Sequence, residues 1–182
     1  MKIIRHIKLN SGNGSLRDLY DGLGNPYPKF FKMDGECRLG YVASEMLLAQ
    51  EPDRFTPRED TAVLVFTRRG SLDNDRNFEK TIRPGEFPSP ALFVYTLPNT
   101  VTGEIAIRNK FLGESSAFVL DGFDADEFVR TVKEAFMDPV TGRAVAGWLD
   151  YGGENDFEAF LMLIEREGEG FDKETTNILY NA

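Results

Sequence analysis

The chain is poor in the residues that most enzyme chemistry requires. Its 182 residues include one cysteine, Cys37, and one histidine, His6. A lone cysteine excludes an internal disulfide, and one thiol and one imidazole far apart in sequence do not supply a zinc site. Positive charge is also short: 21 Lys and Arg stand against 30 Asp and Glu, a net charge of −9. That is the wrong balance for gripping a phosphate backbone, so nucleic acid is excluded as a partner. The only compact basic spot, Arg68-Arg69, reads as a solvated loop. No window approaches the roughly 20 apolar residues of a spanning helix. The opening run "MKIIRHIKLN" is too short and too interrupted for a signal peptide. A cytoplasmic protein with no membrane partner is expected. What is present is 41% hydrophobic content, enough for one domain with a real core.

The pattern along the chain alternates strands and helices. Residues 2–9, "KIIRHIKL", suit a strand ended by a Ser/Gly/Asn cluster. Residues 11–31, rich in Gly, Asn, Pro and Tyr, read as a long excursion. A helix is expected over 33–50, with the small residues Gly40, Ala43 and Ser44 placed for close packing. "TAVLVFT", residues 61–67, is a continuous β-branched and aromatic run, as in a strand buried on both faces. Helices follow near 71–82, 100–111 and 124–136, with strands at 115–120, 143–151 and 158–166. The order βαβαβαββ predicts an α/β domain, residues 1–166, with a five-stranded mixed sheet between helices. Its last two strands are joined by the turn "GGEND" and should be antiparallel. Residues 167–182 read as an acidic tail.

The stretch "GESSAFVLDGFDADEF", residues 113–128, has the strand–turn–helix layout on which many α/β enzymes mount a nucleophile. Its turn is Asp121-Gly122-Phe123, without Ser, Cys, Thr or His. Asp121, Asp124, Asp126 and Glu127 could be taken for a cation site, but carboxylates in a first helical turn serve as caps and complement the helix dipole. "SGNGSL" after the first strand lacks the third glycine of a dinucleotide loop, with Arg17 in its place. His6, on a strand, reads as an ordinary hydrogen-bonded histidine, and Cys37 as an inert helix residue. No metal ligands and no cofactor are expected.

Read together, several stretches resemble the N-terminal half of the β-ketoacyl synthases, which have the thiolase-like fold. "FKMDGECRLGYVASEMLL" is similar to the family's first helix, and "TAVLVFTRRGSLDND" to its second strand and following loop. "SPALFVYTLPNTVTGEIAIRNKFLGESSAFV" resembles the Pro-Asn step and "xIAIRxxxxG" helix that lead into the nucleophile strand. "GRAVAGWLDYGGE" resembles the strand after the nucleophile helix. The resemblance covers residues 1 to about 154 in order and implies a three-layer α-β-α half of that fold. It also implies a departure. Aligning Gly113 with the family's glycine puts Gly122, between Asp121 and Phe123, where the acyl-accepting cysteine belongs. The catalytic histidines and lysine, which the resemblance assigns to the C-terminal half, have no counterpart here. The 124–136 helix differs too: its family equivalent is apolar nearly all round. Here Phe128, Val132, Ala135 and Phe136 form one apolar face, with Arg130, Lys133 and Glu134 on the other.

Two readings follow. In the first, the chain is a non-catalytic ketosynthase-like partner or scaffold in fatty-acid or polyketide-type biosynthesis. The resemblance places Ser116, Ala117, Phe118, Val119 and Leu120 at a dimer interface, in a homodimer or in a heterodimer with a full-length condensing enzyme. An acyl carrier protein is a further partner it implies. In the second, the chain binds a small acyl or nucleotide ligand, or is an enzyme of another class, using the 11–31 excursion and the prolines as pocket walls.

Overall fold

The structure, a computed structural model, describes residues 1–182. Five strands form one sheet: β1 (Lys2–Asn10), β2 (Thr61–Thr67), β3 (Ser115–Val119), β4 (Arg143–Gly153) and β5 (Asp156–Glu165). Their spatial order is β1-β5-β4-β2-β3. β2 is parallel to β3 and β4, while β5 is antiparallel to β4 and β1. The run 61–67 is buried at every position, and its alternate residues serve different layers. Val63 and Val65 enter one apolar core with Val145, Leu149, Leu161 and Leu163. Ala62, Leu64 and Phe66 enter a second with Ala146, Trp148, Phe160 and Met162. That period of two is what a strand between two helical layers requires.

Seven helices complete the chain: α1 (Leu16–Gly22), α2 (Gly35–Leu47), α3 (Leu72–Glu79), α4 (Pro90–Phe93), α5 (Thr100–Asn109), α6 (Ala125–Ala135) and α7 (Lys173–Asn181). The first core lies under α1, α2 and α5, the second under α6 and α7. A Cβ on Gly40 would lie 2.4 Å from Val101, so this glycine is what lets α2 and α5 meet. The same helices are tied by charge. Glu45, almost fully buried, takes Arg108 at 2.9 Å and also pairs with Arg54. The Arg108 guanidinium lies 4.8 Å from the Tyr27 ring centroid and 4.6 Å from that of Phe55.

Three segments depart from the sequence expectation. Residues 11–31 contain two 3-10 turns (Ser11–Asn13 and Pro28–Lys32) and α1, with Leu16, Tyr20 and Phe30 buried. Tyr20 and Phe30 stack at 4.1 Å, so aromatic packing orders what composition suggested was loop. The acidic tail holds α7, capped by Asp172 and anchored by buried Phe171 and Thr176. Arg68 and Arg69 are not simply solvated. Asp150, buried at the end of β4, pairs with Arg68 at 3.2 Å and accepts the Arg69 backbone N–H at 3.0 Å.

Asp150 belongs to a buried polar cluster at the carboxyl ends of β2 and β4, which also holds Glu36, in the first turn of α2, and Thr67. One Glu36 carboxyl oxygen, Oε1, has no hydrogen-bond partner. Burial pushes the Glu36 carboxyl up to about 8, and nearby Asp34, Asp150 and Asp75 reinforce the shift against an opposing hydrogen bond from Thr67. The folded chain therefore keeps a proton that the unfolded chain loses above about pH 4.5. This contribution to stability falls as pH rises from about 4.5 to about 8 and is level beyond. Glu36→Gln is expected to match the wild type near pH 5 and to exceed it at pH 8 by on the order of a few kcal/mol. Denaturant unfolding of both proteins across that range checks the sign.

Candidate functional site

The site is built where the chain enters β3 and where it leaves. On entry, Leu112 N–H donates to the Arg58 carbonyl at 2.8 Å. A Cβ on the next residue, Gly113, would fall 2.5 Å from the Thr61 carbonyl oxygen, so only glycine brings the chain this close to the start of β2. The ladder begins with Val63 N–H to Glu114 C=O (2.7 Å) and ends with Leu120 N–H to Thr67 C=O (2.9 Å). In a parallel ladder between these limits, Ser116 and Phe118 direct both backbone groups to β2. Ser115, Ala117 and Val119 direct theirs outward. No strand lies beyond them.

The two edges of the sheet are treated differently. β1, the other edge strand, carries Lys2, Arg5 and Lys8, the kind of charge that blunts an edge. β3 carries Ser, Ser, Ala, Phe and Val. Its even side chains turn to the second core, where Phe118 stacks on Phe66 at 4.8 Å. Val119 is 59% exposed, and Ile107 and Leu112, on the approach to the strand, are 67% and 64% exposed.

On leaving β3 the chain makes the turn Asp121-Gly122-Phe123. Phe123 folds back over the sheet, stacked on Tyr180 of α7 at 4.0 Å and edge-on to Phe160 at 5.8 Å. Gly122 is exposed, its φ lies outside the left-handed region, and nothing lies within 4 Å of a Cβ built on it. A side chain would fit there. The hollow at the turn is lined by Leu120, Asp121, Gly122, Phe123, Asp124 and Glu127, with no thiol, hydroxyl, imidazole or amine among them. Asp124 is occupied as the cap of α6, accepting the N–H groups of Asp126 (2.8 Å) and Glu127 (3.1 Å), which hold its carboxyl below the usual range. Asp126 pairs with Lys173 at 3.0 Å. The charged side of α6 faces water, with Arg130 pairing with both Glu127 and Glu134.

The remaining candidates lie elsewhere. His6 is exposed rather than buried, hydrogen-bonded to nothing, with its ring 6.4 Å from Phe160. Cys37 is buried in α2, and burial pushes its thiol well up, which keeps it protonated. No group of His, Cys, Asp or Glu is arranged to hold a metal ion, and no helix is long and apolar enough to cross a membrane. The hollow beneath Phe55, lined by Leu48, Arg54, Phe111 and Arg143, has about 10 Å³, room for about one water. That beside residues 20–26 is open to solvent. The buried Glu36–Asp150 cluster was not singled out from sequence.

Several solved structures share this fold. The ishigamide ketosynthase/chain length factor matches 88% of this chain at 19% identity and TM-score 0.65, and the chain spans only about half, 54%, of that protein. A chain from the ketosynthase ApeO in complex with its chain length factor ApeC, from Xenorhabdus doucetiae, matches all of this chain over 92% of its own length, at 13% identity and TM-score 0.64. The third, AntDE:AntF, is described as a type II PKS acyl-carrier protein in complex with its ketosynthase bound to the hexaketide. It matches 97% of this chain over 71% of its own, at 13% identity and TM-score 0.63. No protein-family profile and no curated protein matches the chain. The fold is the thiolase-like fold of the ketosynthases: a mixed five-stranded sheet between two helical layers.

The alternation along β3 separates fold from edge. Phe118→Pro removes an N–H that bonds β2 and is expected to cost on the order of 1–3 kcal/mol. Ala117→Pro removes an N–H that points outward and should leave the midpoint of denaturant unfolding within a few tenths molar of wild type.

Proposed function

We propose that this chain is a non-catalytic ketosynthase-like protein, acting as a partner or scaffold in fatty-acid or polyketide-type biosynthesis by docking the edge of β3 on a condensing enzyme. One observation carries the reading: the strand is open and uncharged at Ser116–Leu120, while the turn behind it has room for a nucleophile and holds Gly122. A condensing enzyme needs a thiolate or alkoxide with a base or dipole to activate it. The Asp121-Gly122-Phe123 turn offers neither. The solved structures support the reading in kind, since two of them are described as pairings of a ketosynthase with a chain length factor. A third is described as including an acyl-carrier protein, which makes such a carrier a further partner for the assembled complex. The ligand-binding alternative draws less support. The excursion that was to wall its pocket packs on its own aromatic residues, and the hollow beneath Phe55 admits about one water.

Incubating the purified chain with radiolabelled acyl thioesters should leave no covalent label, and Gly122→Cys should not confer condensation. Mixed with a condensing enzyme and acyl carrier protein from the same source, the chain should form a complex that Ala117→Pro weakens at least tenfold. An acyl adduct mapped to residues 118–126 would overturn the non-catalytic reading; a complex indifferent to Ala117→Pro would overturn the docking strand.

A further inference from the structure

The edge of β3 is uncharged along its length, yet an acid stands at each end. Glu114 immediately precedes the strand and Asp121 lies two residues past it, both exposed. Glu114 accepts only the Ser116 hydroxyl, at 2.9 Å, and Asp121 has no side-chain partner. Neither has a cation.

Two copies meeting at this edge would pair antiparallel about a twofold axis. The arrangement that uses all three outward residues sets Ala117 against its twin and Ser115 against Val119 of the second copy. Glu114 then stands opposite Leu120 of the second copy, one position from that copy's Asp121. The twofold repeats this at the other end, so four carboxylates meet in two pairs. Neighbouring positions on paired strands are roughly 5–8 Å apart, within the screening length of about 8 Å at physiological salt. The cations nearest the ends of the strand are engaged or distant: Arg58, bonded to Leu112, lines the hollow beneath Phe55, Arg68, next to Thr67, is held by Asp150 at 3.2 Å, and Lys110 is four residues before Glu114, roughly 13 Å of extended chain. Shifting the pairing by two residues sets one end of the strand against chain outside it. Self-pairing is therefore opposed by like charge wherever the ladder is complete.

We infer that β3 is a one-sided docking edge that rejects a second copy and selects a strand uncharged at its centre and flanked by Lys or Arg at both ends. This rests on the reading of β3 as the docking strand. Five residues are a small part of the 20–30 that a stable interface uses on each side. The exposed side chains of Ile107, Leu112 and Val119 extend the surface, so the partner is also apolar beside its strand.

Sedimentation velocity on the wild type, Glu114→Lys and Glu114→Lys/Ala117→Pro, in 50 mM and 500 mM salt, tests the charge selection. In a pairing of two copies, Glu114→Lys puts opposite charges side by side at both ends of the ladder. The wild type should be monomeric at tens of micromolar in 50 mM salt, and Glu114→Lys dimeric with a Kd at least tenfold lower. High salt should weaken that dimer, and adding Ala117→Pro should abolish it. A wild-type dimer as tight as the variant's, or a variant that stays monomeric, would overturn the charge selection. Neither result decides whether β3 docks on a condensing enzyme, which the reconstitution with Ala117→Pro reads separately.

Discussion

From Val63 to Thr67 the backbone of β2 has no spare hydrogen-bonding capacity. Val63, Val65 and Thr67 serve β3, the residues between them serve β4, and the whole strand is buried. Everything parallel in the sheet is anchored on this strand, and so is the parity of β3. Because Val63 must accept and donate toward β3, Ser116 and Phe118 turn inward and Ser115, Ala117 and Val119 turn out. Water can satisfy those outward groups in the free chain. A second strand satisfies them and covers Val119 as well. The opposite edge, with lysine and arginine along β1, lacks that invitation.

The features that carry the resemblance to ketosynthases serve architecture here. Arg108 of the "IAIR" run is held between Glu45 and the rings of Tyr27 and Phe55, joining α5 to α2. Gly40 sets the approach of the same two helices, and Gly113 the approach of β3 to β2. None of these needs a reactive group to be retained. The turn after β3 is the part that chemistry would have constrained, and it is a loosely surrounded glycine between an exposed aspartate and a phenylalanine tucked under α7.

Much of the sheet was legible because its strands are apolar on two faces: "TAVLVFT" has no reading other than a buried strand, and "GGEND" can only join an antiparallel pair. The edge position of "SSAFVL" came from the resemblance, while the solvated face of α6 was legible from charge. α1 and α7 were not. The first is seven residues long between Gly- and Pro-rich flanks, and its order comes from Tyr20 stacking on Phe30, a contact between distant turns. The second spreads Thr176, Leu179 and Tyr180 at helical spacing behind a run of acids that dominates the composition. The direction of each backbone group on β3 was also hidden, because composition says nothing about parity. Proline at Phe118, an apparent probe of the edge, in fact strikes the ladder to β2.

Amide hydrogen exchange along β3 tests the docking strand most directly. In the free chain, the amides of Ser116 and Phe118 should be protected and those of Ser115, Ala117 and Val119 should exchange rapidly. In a complex with a condensing enzyme, Ala117 and Val119 should slow by at least a hundredfold while the inward amides change little. A complex that forms with the outward amides still exchanging freely would contradict the account.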